Sequence, residues 1–263
     1  MYETNFHKAD TAQEAAALLN TSEDGKILAG GQTLIPTMKQ RLADPTDVID
    51  VSAAADLRGI TVSGDQVTIG AMTTHAEVAG HAALAALCPS ICKLAANIGD
   101  PAVRHRGTIG GSLANNDPAA DYPAAALALN ARIHTTSREI AADDFFEGMF
   151  TTALEDDEII TAVSFTAPVQ GGYGKFPNPA SRYAMAGVFV AKLADGGVRV
   201  AVTGAGEDGV HRHDGLEAAL SADWSAAAVD VVEIASDGLL SDLHGDAEYR
   251  ANLIKVMAKR ALG

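Results

Sequence analysis

The sequence predicts an α+β fold in three parts, and three observations support this prediction. First, short apolar runs typical of strands alternate with alanine-rich runs typical of helices up to about residue 168. Second, the composition then changes in the Gly- and Pro-rich stretch VQGGYGKFPNPASR, which reads as a linker or a ligand-facing loop. Third, AGVFVAKLADGGVRVAVTGAG reads as two strands joined by an Asp-Gly-Gly turn.

These observations divide the 263 residues into three ranges. We expect a small α/β part over 1–55, a larger α+β part over 56–168, and a C-terminal part over 169–263 that combines a small antiparallel sheet with helices. The tail from about Leu216 onward is predicted to be mostly helical.

The first element is a helix over TAQEAAALLN, with Asp10 or Thr11 as its N-cap and Glu14 near the capping-box position. The segment from Thr74 to Gly99 is predicted to be helical in two pieces, broken near Pro89. SGD is predicted to be the turn of a hairpin, and ARIHTTSREIAADDFF to be two strands around a turn. Further short strands are predicted in KILAGG (26–31), PTDVIDV (45–51), GITVSG (59–64), QVTIGAM (66–72) and DEIITAVSFTAP (157–168).

Composition excludes several classes of function. A formal net charge of −15 disfavours nucleic acid and anionic membrane surfaces as partners, because both are bound through clustered Lys and Arg. No signal peptide is visible, and no apolar run approaches the roughly 18 residues that a membrane span needs. Cys88 and Cys92 are too few for a metal or iron–sulfur site, so we expect two buried apolar side chains and a cytoplasmic protein.

Two glycine pairs are candidates for binding a ligand. In LAGGQTLIP (28–36), a strand ends in Gly30 and Gly31, so consecutive backbone N–H groups are exposed as a pyrophosphate requires. An ordinary turn is the alternative. In GTIGGS, Gly110 and Gly111 again follow β-type residues, which suggests that side chains are absent to make room for a ligand.

The residues after the second pair have both a structural and a binding interpretation. Asp117 is predicted to cap the following helix, with Pro118 at its first position. Asp121 is spaced so that it could accept hydrogen bonds from a ribose hydroxyl. Two such loops in one chain support a bound dinucleotide more strongly than either loop does alone.

Two other features are weaker candidates. GAGEDG (204–209) satisfies the G-x-G-x-x-G pattern after a strand, but no helix is predicted to begin within it, and its two acidic residues would repel a pyrophosphate. His211 and His213 are interpreted as part of a solvated loop, with a metal site as the alternative. No hydrolase, zinc-protease or P-loop motif is present, so the chemistry is expected to come from a cofactor, with no catalytic side chain and no metal.

The motifs taken together resemble the FAD-binding medium subunits of the molybdenum hydroxylases. The most similar type is the medium subunit of aerobic carbon monoxide dehydrogenase, which is related to the flavin domain of xanthine dehydrogenase. The resemblance covers nearly the whole chain. It implies a two-subdomain FAD-binding domain of the PCMH (vanillyl-alcohol-oxidase-like) type, followed by the C-terminal domain. The segments that carry it are AGGQTLIPTMKQRL, IGDPAVRHRGTIGGSLANNDPAADYPAAALAL, VRVAVTGAG and DAEYRANLIKVMAKRAL.

The resemblance also implies a set of FAD-binding residues. Asp121 would bind ribose or nearby polar atoms, Ile160 would pack near the flavin, and Lys175 would be a basic residue near the isoalloxazine. Gln32 and Asn115 stand where many relatives carry His, and both remain able to form hydrogen bonds. GAGEDG would belong to the C-terminal hairpin. The first loop contributes Ala29, Gly30, Gly31, Gln32, Thr33 and Leu34, and the second region contributes Ile98, Gly99, Val103, Thr108, Gly110, Gly111, Ser112 and Ala114.

The function that the resemblance implies is electron transfer through FAD. A large molybdenum-cofactor subunit would oxidise the substrate, and a small iron–sulfur subunit would pass the electrons to this chain. The three subunits would form a heterotrimer that dimerises, without nucleic acid and without a membrane span. Two alternatives remain at this point: a free-standing FAD oxidoreductase, and a scaffold subunit that has kept the fold and lost the flavin.

Overall fold

A computed structural model describes all 263 residues. Its N-terminal sheet is three-stranded and parallel, in the order β1–β3–β2. Thr11 caps the first helix by accepting a hydrogen bond from the N–H of Glu14, as predicted. The elements are β1 (Asn5–Lys8), α1 (Ala12–Thr21), β2 (Gly25–Leu28), α2 (Leu34–Lys39) and β3 (Asp47–Asp50).

The second sheet has five antiparallel strands in the order β4–β5–β10–β6–β7. The helical segment is divided into three pieces, because a break at His81 adds to the predicted one near Pro89. The elements are β4 (Ile60–Ser63), β5 (Gln66–Gly70), α3 (His75–Gly80), α4 (Ala82–Leu87), α5 (Pro89–Ala96), α6 (Pro101–Arg104), α7 (Ile109–Asn115), α8 (Tyr122–Ala128), β6 (Arg132–Thr135), β7 (Glu139–Ala141), α9 (Ala142–Phe145), β8 (Phe146–Gly148), β9 (Thr151–Thr152) and β10 (Ile160–Thr166).

The third sheet is four-stranded and antiparallel, in the order β11–β12–β13–β14. The predicted hairpin is confirmed as β12 and β13, whereas the tail is helical only in part, since residues 231–246 are irregular. The elements are β11 (Gln170–Pro177), β12 (Ala184–Lys192), β13 (Val198–Thr203), β14 (His211–Arg212), α10 (Asp214–Ala222), α11 (Ala226–Asp230) and α12 (Ala247–Ala261).

The prediction of a linker or loop over VQGGYGKFPNPASR was wrong for most of its length, since it contains strand β11. The glycines there serve helix packing. A Cβ on Gly172 would lie 1.7 Å from the carbonyl oxygen of Ala261, and one on Gly174 would lie 2.3 Å from that of Met257. Both positions must therefore lack a side chain for α12 to lie against the strand.

The prediction for the region around the second glycine pair also needs correction. Thr108 caps helix α7 by accepting a hydrogen bond from the N–H of Gly111, so the glycines occupy a first helical turn rather than a loop after a strand. Asp117 does not cap the next helix, which begins at Tyr122. Its carboxylate instead accepts a hydrogen bond from the N–H of Ala119 within a turn.

Helix α8 joins the second and third sheets, and all seven of its residues are buried. The largest core cluster includes residues of this helix together with Ile133 and Phe145 from the second part and Phe189 and Ala201 from the third sheet. The three main sheets fall within residues 5–50, 60–166 and 170–212. The exact domain boundaries at 55 and 168 stay a prediction. None of the helices is both long and apolar enough to cross a bilayer.

Candidate cofactor-binding site

A cavity of about 540 Å³ lies where the three parts of the chain meet. Its walls come from the end of β2, from helices α6 and α7 with their flanking turns, and from strand β11 and the turn that follows it. The cavity brings together every residue that the resemblance assigns to FAD binding. These are Ala29, Gly30, Gly31, Gln32, Thr33, Leu34, Ile98, Gly99, Val103, Thr108, Gly110, Gly111, Ser112, Ala114, Asp121, Ile160 and Lys175.

The first glycine loop presents an unbroken row of hydrogen-bond donors. The backbone N–H groups from Ala29 to Leu34 have no acceptor within the chain. The first helical hydrogen bond of α2 is made by the N–H of Ile35, which donates to the carbonyl oxygen of Gly31. Gly31 adopts φ +70°, a left-handed conformation that glycine accepts without strain. Consecutive free N–H groups in such a turn form a concave anion-binding nest. The loop is therefore suited to a diphosphate.

The two glycine regions meet directly. A Cβ on Gly30 would lie 2.1 Å from the carbonyl oxygen of Arg106 and 2.7 Å from Cα of Gly107, so only glycine permits this approach. A Cβ on Gly111 would lie 3.6 Å from Cβ of Ala29. The first loop consequently rests on the turn that precedes helix α7, and the two regions form one continuous wall.

The prediction that Gly110 lacks a side chain in order to make room for a ligand was wrong. A Cβ there would lie 2.6 Å from Cβ of Ala71 and 2.8 Å from its carbonyl oxygen, so the absent side chain lets α7 contact the end of β5. The N–H of Gly110 also donates to that carbonyl oxygen at 2.9 Å. Gly110 therefore serves packing rather than ligand clearance. Gly111, by contrast, lines the cavity beside Ala29.

Asp121 and Lys175 form a buried ion pair in the cavity wall, with Oδ2 and Nζ 2.9 Å apart and each side chain 6% exposed. The hydroxyl of Tyr173 donates to the other carboxylate oxygen of Asp121. Burial raises the pKa of Asp121, and the Lys175 charge opposes that effect. Both carboxylate oxygens are thus engaged within the chain, and contact between Asp121 and a ribose stays a prediction.

Sequence reasoning missed several residues of the cavity. Ser181, Arg182 and Tyr183 follow β11 and reach the cavity from a turn organised by Asn178, whose side chain accepts hydrogen bonds from two backbone N–H groups. Ser181 and Arg182 end the stretch for which a linker or a ligand-facing loop is predicted, and contact between this segment and a ligand stays a prediction. Several apolar residues were also missed, and most of them lie next to a strand end, a position that could have indicated them: Val51, Leu57, Ala71, Met72, Leu154 and Ile159.

The weaker candidates, which are GAGEDG and the two histidines His211 and His213, lie outside the cavity. GAGEDG follows β13 but starts no helix; it instead pairs with a distant segment through a bridge between Gly206 and Leu239. His211 lies on β14, and His213 caps α10 by accepting a hydrogen bond from the N–H of Leu216. Cys88 and Cys92 are free and buried, as expected.

Comparison with known proteins identifies the family. Residues 2–168 match the family described as the FAD binding domain in molybdopterin dehydrogenase. The chain belongs to this family. The match confirms the resemblance read from the sequence motifs, the α+β fold class and FAD as the cofactor.

The relatives include medium subunits of oxidoreductases. Nicotine 6-hydroxylase medium subunit from Paenarthrobacter nicotinovorans is 38% identical over 95% of this chain and 93% of that protein. Carbon monoxide dehydrogenase medium chain from Hydrogenophaga pseudoflava is 34% identical over 98% of this chain and 95% of that protein. In reconstituted carbon monoxide dehydrogenase from Oligotropha carboxidovorans, one chain superposes with a TM-score of 0.90 at 34% identity, over 99% of this chain and 96% of that chain.

The cavity fits the cofactor of the family. Its volume of about 540 Å³ lies within the range of small-molecule and cofactor sites. The free N–H groups of residues 29–34 match the acceptor oxygens of a diphosphate. Apolar side chains such as Ile98, Val103 and Ile160 line the cavity, as an aromatic ring system requires. The chain is an FAD-binding medium subunit of the molybdenum hydroxylase type.

Proposed function

We propose that this chain transfers electrons through FAD held in the cavity between its two glycine regions. FAD would supply the redox chemistry, accepting electrons from a reduced iron–sulfur cluster and passing them to an external acceptor. The observation that carries the proposal is the row of six unpaired N–H groups beside a cavity large enough for a flavin nucleotide.

The chain's own residues have binding and positioning roles in this proposal. The N–H groups from Ala29 to Leu34 bind the diphosphate, and Thr108, Ser112 and the turn at Gly99 add polar contacts. Ile160 packs beside the flavin. Lys175, held in the cavity wall by Asp121, would place a positive charge near the isoalloxazine. No side chain is required as an acid, a base or a nucleophile.

The proposed partners are a large molybdenum-cofactor subunit and a small iron–sulfur subunit, in a heterotrimer that dimerises. An iron–sulfur cluster is held by four thiolates as a rule, and this chain has two cysteines, so the cluster that delivers electrons would belong to the partner. The substrate would then be selected by the large subunit. Both cysteines are free thiols, which is consistent with the cytoplasm as the proposed location.

The test is co-expression of this chain with the genes that flank its own, followed by purification through a tag on this chain. We expect a large and a small subunit to co-purify, and the flavin absorbance to be bleached when the molybdenum subunit's substrate is added anaerobically. Two results would refute the proposal: purification of the chain alone with full reductase activity, which would indicate a free-standing oxidoreductase, or a complex that contains no flavin.

A further inference from the structure

His75 is a buried histidine whose ring makes no hydrogen bond within the chain. It is the first residue of α3, it is 5% exposed, and it lies in the cavity wall. Its Nδ1 is fully buried and has no partner. An unsatisfied buried polar group costs about 1–3 kcal/mol, so a leucine or phenylalanine would stabilise the fold more if packing were the only role of this residue.

The surroundings of His75 place it next to the anion-binding loop. Its ring packs against Tyr122, with centroids 5.3 Å apart. On the other side, a Cβ on Gly107 would lie 2.5 Å from Nε2, so glycine at that position makes room for the imidazole. Gly107 also contacts Gly30, as described above. One residue therefore separates His75 from the row of free N–H groups.

The charge state of His75 defines what it can bind. Burial, with the nearby Arg104 guanidinium as a smaller cause, lowers the pKa of His75 to about 4. The imidazole is therefore neutral at pH 7, with one N–H donor and one lone pair. Since a buried N–H without an acceptor is costlier than a buried lone pair, the proton belongs on Nε2 rather than on the enclosed Nδ1.

We propose that His75 is a cofactor-binding residue, whose Nε2–H donates a hydrogen bond to an oxygen of the FAD diphosphate. This inference rests on the proposed FAD site. It explains why a buried ring with no hydrogen-bond partner in the chain lies in the cavity wall, and why Gly107 leaves room for it. The residue completes, with a side-chain donor, the set of backbone donors that the first loop supplies.

Three substitutions separate this role from a structural one. His75→Leu removes the donor. His75→Gln places an amide N–H where Nε2 stands, whereas His75→Asn places its amide at the position of Nδ1. Tyr122→Phe is the matched control, because the Tyr122 hydroxyl is equally buried and unpaired but does not line the cavity. The measurements are FAD affinity by fluorescence quenching, ADP competition as a probe of the diphosphate contact, and Tm without ligand.

We expect His75→Leu and His75→Asn to bind FAD and ADP about tenfold more weakly, as the loss of one hydrogen bond to a charged group predicts. His75→Gln should retain most of the affinity, Tyr122→Phe all of it, and the Tm of His75→Leu should be equal to or above that of the wild type. Wild-type affinity in His75→Leu overturns the inference, as does an equal loss in His75→Gln and His75→Asn, or a loss for FAD without a loss for ADP. A wild-type chain that takes up no FAD refutes the proposed function itself.

Discussion

Nζ of Lys175 donates a hydrogen bond to the carboxylate of Asp121 at 2.9 Å, and this contact fixes strand β11 to the start of helix α8. The same Nζ reaches the carbonyl oxygen of Asn97 at 3.3 Å, just before the cavity-lining turn at Gly99. One ammonium group thus connects the C-terminal sheet to two segments of the FAD cavity. Breaking the pair should affect both stability and the cavity wall.

Lys175→Met should lower the free energy of unfolding by about 3–5 kcal/mol at pH 7, because the Asp121 carboxylate is left buried without its counter-ion. Burial raises the pKa of Asp121, so the loss should be largest at neutral pH and should shrink as the pH falls and the carboxyl group protonates. The measurement is urea unfolding at pH 7 and pH 4.5.

Lys259→Met is the matched control for that substitution. Lys259 also pairs with an aspartate, Asp230, at 2.7 Å, but the two side chains are 33% and 58% exposed. Loss of an exposed pair should cost less than about 1 kcal/mol. Equal destabilisation by the two substitutions would contradict the structural role assigned to Lys175.

Gly110 and Gly111 should respond differently to substitution, although they are adjacent. Gly110→Ala should destabilise the chain by about 1–3 kcal/mol, because its Cβ would meet the backbone of Ala71 at 2.8 Å. Gly111→Val should abolish FAD binding with a smaller fall in Tm, because its side chain would stand between the first loop and the cap of α7. Thermal unfolding and FAD titration of the two variants test this difference. Normal FAD affinity in Gly111→Val would refute the assignment of Gly111 to the site.

His75 should make stability depend on pH below neutrality. Burial lowers the pKa of His75 from 6.5 to about 4, so the unfolded chain binds more protons between these values, and stability rises with pH across that window. Wild-type chain should lose about 2 kcal/mol from this group alone between pH 6.5 and pH 4.5. His75→Leu should have a correspondingly flatter profile in denaturant unfolding. A profile unchanged by the substitution would show that His75 titrates normally.

The parts of the fold that depend on local signals were predictable from the sequence. The helix cap at Thr11, the hairpin of β4 and β5, and the hairpin of β12 and β13 all follow from short-range rules of capping and turn chemistry. The two glycine regions were also recognised as parts of one site, and the cavity brings them together.

The errors arose where a distant segment determines the local conformation. The residues around Gly110 have strand-type neighbours, but the cap at Thr108 and the contact with Ala71 make the segment helical. The prediction of a loop over strand β11 was wrong because its glycines make room for the distant helix α12, which packs on the strand. His75 carried no motif, and only its burial and missing hydrogen bonds distinguish it.

The visible absorption spectrum of the purified chain, recorded before and after incubation with FAD, measures directly whether the chain binds FAD. We expect flavin absorbance in the blue region, at a level that corresponds to equimolar FAD, and its loss in Gly111→Val. A colourless protein that takes up no FAD, either alone or in complex with its co-expressed partners, would show that this cavity is not an FAD site.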